Sequence, residues 1–163
     1  MTRRVIWSAL TCLCALSVTI ACSSSPSTFS VGRALVDDTA YTCPTGSNNA
    51  PYQLHVSIDA HNPTSSAVTI QSVTASMKLE AVKGGWLEKV GDTYNAGSAT
   101  FTPAGVAAGA TTTIKVTISS ACTSGKTATA APSYGEYRVT LHLTASSGSY
   151  ATTTANRHRL TAS

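Results

Sequence analysis

The sequence predicts an all-β fold, an antiparallel sandwich or barrel of seven to eight strands. Three observations lead there. Apolar residues recur with a period of two along most of the chain, the spacing that puts one face of a strand inward. Charged residues are scarce at 11%, while threonine and valine, which pack well on a pleated surface, are abundant. Short Ser-, Asn-, Pro- and Gly-rich runs then punctuate the periodic segments, as turns between neighbouring strands require.

The strands are expected near residues 29–38, 52–62, 67–72, 73–82, 86–94, 110–120, 134–146 and 149–160, with 98–102 as a short edge piece. In the second, Leu54, Val56, Ile58 and Ala60 alternate with Gln53, His55, Ser57 and Asp59. Val68 and Ile70 continue on even numbers, whereas Val73, Ala75, Met77, Leu79 and Ala81 fall on odd ones. That change of parity near Ser72 predicts a bulge or bend, because one extra residue keeps the apolar face inward. Ile114, Val116 and Ile118 mark a further strand, and Tyr137, Val139, Leu141 and Leu143 another. Asn62-Pro-Thr-Ser-Ser66 and Ser146-Ser-Gly-Ser149 read as turns, and Ala104–Gly109 as a plain connecting loop. No sustained helical period occurs beyond the first twenty-one residues.

Those first residues carry an address. Arg3 and Arg4 precede an uncharged, largely apolar run from Val5 to Ala21, followed by Cys22. A basic start, an apolar centre and a small residue at the boundary form an export signal. About 140 residues remain, enough for one domain. The expected division is a signal over 1–21, a polar tether over 22–28 and a β domain over 29–163. The formal charge of +4 falls to about +2 without Arg3 and Arg4, which implies no nucleic-acid partner. Cys12 and Cys14 lie inside the signal. Cys43 and Cys122 are left as an even pair, read as one disulfide in an oxidising compartment.

The run Val18-Thr-Ile-Ala-Cys22 resembles the signal of bacterial lipoproteins, with Thr19 where that family usually has leucine. The resemblance implies that Cys22 is acylated, with palmitate-class chains, and becomes the amino terminus. The protein would then be exported and lipid-anchored to the bacterial cell membrane or outer membrane. Two or more chains hold durably, since each buried methylene contributes about 0.8 kcal/mol. Plain cleavage past Cys22 and a retained anchor are the alternative readings of the same stretch.

Two further runs resemble parts of immunoglobulin-like domains. Val56 to Ile70 is similar to the strand–Asn-Pro-Thr–strand hairpin of bacterial envelope domains of that class. Tyr134-Gly-Glu-Tyr-Arg-Val139 is similar to the opening of their sixth strand, with Val139 where antibody domains carry a cysteine. This implies an immunoglobulin-like β-sandwich, with the Tyr137 hydroxyl bonded to nearby backbone at a corner. If 52–62 is strand B and 110–120 strand E, the start of B lies beside the end of E. A Cys43–Cys122 bridge would then staple two loops at one end of the sandwich and leave the core uncrossed.

Catalytic chemistry finds little footing. The carboxylates are scattered, and adjacent Asp37 and Asp38 would point to opposite faces of a strand. No Gly-x-Ser-x-Gly elbow or phosphate-binding glycine loop occurs. His55, His61 and His142 fall at polar positions of alternating strands, with His55 and His142 expected on opposite outer faces, so no metal site and no cofactor is expected. His158, between Arg157 and Arg159, reads as part of a solvated terminal strand. The best candidate for recognition is the Val82–Asn95 segment, with glycines, charges, Trp86 and Tyr94 together. Trp86 admits two readings: a core plug like the strand C tryptophan of immunoglobulin-like folds, or an aromatic on a mobile edge that stacks on a glycan or anchors an envelope protein partner. The function expected is therefore non-catalytic: a lipid-anchored envelope domain making protein or polymer contacts. A small-ligand or metal carrier is the alternative.

Overall fold

The computed structural model describes residues 28–37, 40–124 and 133–162. The expected export signal, Cys22, most of the expected tether and Asp38 lie outside the described residues. Within them every regular element is a strand. The ten strands are β1 (Ser30–Val36), β2 (Tyr41–Cys43), β3 (Ala50–His61), β4 (Val68–Lys83), β5 (Thr93–Thr102), β6 (Gly105–Val106), β7 (Thr111–Cys122), β8 (Ser133–Ala145), β9 (Gly148–Thr153) and β10 (His158–Ala162).

The strands hydrogen-bond into one sheet, in the order β1-β3-β7-β5-β4-β8-β10-β2, with β6 on β4 and β9 on β8. The sheet curls because two strands change partner midway. The first half of β5 pairs with β4, from Lys78↔Thr93 to Thr74↔Ser98, and the second half pairs with β7, from Ala99↔Ile118 to Thr102↔Lys115. β8 in turn pairs with β10 over Ser133–Tyr137 and with β9 over Thr140–Ala145. A side-chain zipper then holds β1 to the end of β9 and the segment after it. The Asn156 amide accepts from Val36 N (2.9 Å) and donates to Val36 O (2.7 Å), and Thr152 Oγ1 donates to Gly32 O (2.9 Å).

Inside the curl lies one core. Leu54, Val56, Ile58 and Ala60 of β3 meet Ile114, Val116 and Ile118 of β7, with Met77, Leu79, Val139, Leu141 and Leu143 opposite. The period-two reading finds these faces. The parity switch near Ser72 is a bulge: the β4–β8 register shifts between Ile70 and Ser72, so Ile70 and Val73 are both buried. Residues expected as two strands are thus one 16-residue strand.

Other expectations are corrected. Residues 86–94 are not a strand; 84–92 form a loop, and β5 begins at Thr93 and runs through the supposed edge piece at 98–102. Residues 149–160 divide into β9 and β10. The Ala104–Gly109 loop contributes β6, whose Val106 is fully buried. Asn62, expected as turn chemistry, is also fully buried. Its amide nitrogen donates to Ser66 O, Val106 O and Ala107 O, while its oxygen accepts from Thr64 N and Thr64 Oγ1. A buried amide needs such complete pairing, and here it ties the β3–β4 turn to β6.

The Cys43–Cys122 disulfide has its Cα atoms 6.0 Å apart. Cys43 is the last residue of β2 rather than a loop residue, and Cys122 pairs with Ala50 at the start of β3. The bridge therefore joins the β2 edge of the sheet to the β3–β7 end across the curl. Tyr41 of β2 stacks on Tyr52 of β3 at 4.4 Å, and Tyr52 stacks on His158 of β10 at 5.6 Å.

Candidate functional site

The β4–β5 loop rises at this disulfide end. Gly84 starts it with φ of +72°, a backbone that strains other residues, and a Cβ there would meet Ser133 Oγ at 2.5 Å. Gly91 closes it with its N–H on Leu79 O (2.8 Å), while Asp92 Oδ2 accepts from Lys89 N (2.8 Å). Between these fixed ends the chain holds Trp86, Leu87 and Glu88 over the start of β8.

Trp86 is half-buried and lies off the strands, packed against the backbone of β8. A Cβ on Gly135 would fall 2.7 Å from the indole, so this glycine is what lets the ring lie flat there. The ring is neither a core plug on a strand nor a free surface anchor. Its Nε1–H donates to the Tyr137 hydroxyl oxygen (2.9 Å) and to Glu88 Oε2 (3.1 Å). Tyr137 is fully buried, and its hydroxyl donates a short hydrogen bond to the same carboxylate oxygen. The corner expectation for Tyr137 is thus corrected: its hydroxyl bonds two side chains of the neighbouring loop, not nearby backbone. Tyr94 meets Tyr137 edge to face at 5.8 Å.

Together these residues border a cleft of about 410 Å³. Trp86, Leu87, Glu88, Tyr94 and Tyr137 form its aromatic and acidic side, with Cys122 and Leu160 opposite. Burial raises the Tyr94 and Tyr137 phenols well above their ordinary range, and for Tyr137 the bond to Glu88 adds to this. Both stay neutral at physiological pH. The cleft therefore offers rings, a fixed acceptor and an apolar floor, which is binding chemistry. Leu87 on its border is 70% exposed and Val90, elsewhere on the loop, 57%, and with Val82 they are the exposed large hydrophobics of the described residues.

Trp86 and Tyr94, nominated from sequence, thus lie on one cleft, while Tyr137, Glu88 and Leu160 complete it, and Gly135 seats the indole, without having been nominated. The signal for Tyr137 and Gly135 lay in the Gly-x-Tyr spacing of β8. Glu88 had none, since its partner is 49 residues away.

The histidines do not converge. His55 and His61 on β3 and His142 on β8 are exposed, and the first two bond Thr117 and Thr111 of β7. Among the described residues no group of three or more His, Cys, Asp or Glu side chains is placed to hold a metal ion. His158 corrects its expectation, being 1% exposed instead of solvated. Arg157 and Arg159 take the outer face of β10, so the period of two turns His158 inward with Leu160, against Tyr52. Among the described residues neither ring nitrogen has a hydrogen-bond partner, and burial lowers the pKa of the imidazole to about 4.

A charged cluster covers the outer face of β4, β8 and β10. Arg138 and Arg157 bind Glu80 (2.9 and 2.8 Å), and Arg157 and Arg159 bind Glu136 (3.2 and 2.6 Å). Hydrogen bonds, from Arg159 first, hold the Glu136 carboxyl below its ordinary range. At Glu80 burial pulls upward, but the two arginines outweigh it.

No protein-family model matches the chain, and no curated protein does. Among solved structures, the chain is similar to the ASH / PapD-like domain of human CEP192 (PapD-like domain 7). The identity is 10% over 91% of this chain and 94% of that one, with a TM-score of 0.28. The chemistry of the cleft stands on the residues of this chain.

Proposed function

We propose that this protein is a non-catalytic binding domain of the bacterial cell envelope. It is exported, held to a membrane through an acylated Cys22, and makes protein or polymer contacts through the cleft beside Trp86. The observation that carries the binding reading is the β4–β5 loop itself. It puts one exposed large apolar side chain, Leu87, on the border of an aromatic cleft and carries a second, Val90, on the same loop, and grouped exposed apolar surface marks a contact site. An immunoglobulin-like sandwich is part of this reading, supported by the partner-switching strands β5 and β8 around one core. Small-ligand carriage is the second reading, favoured by a cleft within the size range of small-molecule sites.

The path of the chain gives the anchor a consequence. Ser30, the first residue of β1, pairs with His61 at one end of β3, whereas Ala50 at the other end pairs with cleft-lining Cys122. Those ends are separated by eleven strand steps, roughly 36 Å. A lipid on Cys22 would thus leave the cleft at the end of the domain away from its own membrane.

Two measurements test the proposal. Mass spectrometry of the membrane fraction should find Cys22 as a lipid-modified amino terminus; a soluble, unmodified chain starting at Ser24 contradicts the anchor. A photocrosslinking residue at Leu87 should yield a discrete adduct on intact cells, while one at exposed Thr113 of β7 should not. Equal, diffuse adducts from both positions contradict the cleft as the contact site.

A further inference from the structure

We propose that the Trp86 cleft recognises an organic ammonium group, presented by a soluble ligand or a partner molecule. This rests on the binding reading above and names the chemistry of what enters. Charge complementarity carries it. Glu80 and Glu136 are each neutralised by two arginines, whereas no lysine or arginine among the described residues forms an ion pair with Glu88. The Glu88 carboxylate is instead held by two neutral donors, the Trp86 indole and the Tyr137 hydroxyl, both on Oε2. Oε1 has no hydrogen-bond partner among the described residues.

Beside this carboxylate, unpaired with any cation among the described residues, the half-buried rings of Trp86 and Tyr94 border the cleft, while the fully buried Tyr137 supplies its hydroxyl. Aromatic faces attract cations through their quadrupole, and indole does so most strongly. A neutral phenol supplies that attraction without competing as an anion, and burial holds the half-buried Tyr94 neutral. The site is therefore fixed before any ligand arrives: Gly135 seats the indole, the indole and Tyr137 orient the carboxylate, and Tyr94 closes the side. An ammonium ion of substituted type suits it better than a metal ion, because Glu88 is the one carboxylate of a lining otherwise made of rings, aliphatic carbon and neutral hydroxyl groups. A hydrated divalent cation needs several oxygen ligands instead.

The test uses the full chain with Trp7→Phe, which leaves Trp86 as its one tryptophan. Its fluorescence is followed during titration with choline and with 3,3-dimethylbutan-1-ol, a neutral molecule of the same shape. Choline should change the emission saturably and bind roughly tenfold more tightly than the alcohol. Glu88→Gln, which keeps an acceptor for Trp86 and Tyr137, should erase that preference while leaving weak alcohol binding as it was. Phosphatidylcholine vesicles should bind no more tightly than free choline. Equal affinity for choline and the alcohol, an unaltered preference in Glu88→Gln, or binding of vesicles alone overturns the inference. So does the absence of binding by either small molecule. Crosslinking from Leu87 is read separately: an adduct there with no choline preference leaves the binding reading standing and removes only the ammonium assignment.

Discussion

His158 shows at the scale of one residue how little distinguishes a surface position from a core one. It sits between two arginines, yet the strand period turns the arginines out and the imidazole onto Tyr52. Burial makes the neutral ring the folded form, with a pKa near 4 against 6.5 in the unfolded chain. The unfolded state binds the extra proton between these values, so stability is complete above pH 6.5 and falls as the pH drops towards 4. The loss amounts to about 3 kcal/mol by the bottom of that window. Glu80 and Glu136, whose carboxyls are lowered by arginines, lose their contribution only below their unfolded value of 4.5. Urea melts between pH 5 and 6.5 therefore isolate the histidine. His158→Phe, which keeps a ring against Tyr52, should flatten the stability profile there, and an unchanged slope would contradict the assignment.

At the scale of elements, the sequence made faces legible and partners illegible. Alternation along β3, β7 and β8 marks which side chains enter the core, and the parity change near Ser72 marks the bulge in β4. Alternation reports only local geometry, however, and strand pairing is non-local. Nothing in Thr93–Thr102 signals that β5 pairs with β4 for one half and with β7 for the other. The buried role of Asn62 depends in the same way on β6, 44 residues ahead. For the cleft, Trp86 and Tyr94 were legible as large side chains in a glycine-flanked segment. Their meeting with Tyr137 and Glu88 depends on how β8 passes beneath the loop. Gly135 is the hinge of that meeting and gives a direct prediction. Gly135→Ala places a methyl group within about 3 Å of the indole and should push Trp86 off β8 and away from Tyr137. Trp86 emission should shift to the red and quench more readily with acrylamide. The stability loss should be small, about 1 kcal/mol, because the lost bond is at the surface end of the core. An unshifted emission maximum would show that the ring does not rest there.

At the scale of the whole molecule, the scaffold and the cleft meet at the disulfide. Cys43 and Cys122 close a loop across 79 positions, which the chain-entropy argument values at about 4 kcal/mol. Cys122 also lines the cleft. Cys43→Ser and Cys122→Ser should each lower the melting temperature by a similar amount, roughly 10 °C, since either opens the same covalent loop. Both should weaken capture at the cleft. Unequal melting shifts would mean that one sulfur does more than complete the bridge. The opposite end of the molecule, where β1 enters and Phe29 packs edge-on against Tyr150 at 4.9 Å, should tolerate changes without affecting capture.

The central claim is that this β scaffold exists to present the cleft beside Trp86, and competition on intact cells tests it most directly. Leu87 is mostly exposed on the loop, so Leu87→Asp should move the melting temperature by no more than about 2 °C. Added in excess, a soluble domain beginning at Ser23 should abolish the crosslink formed from position 87 of the resident protein. The same domain carrying Leu87→Asp should leave that crosslink in place. If the Leu87→Asp domain competes as well as the unaltered one, the partner is held elsewhere on the sheet and the claim is contradicted.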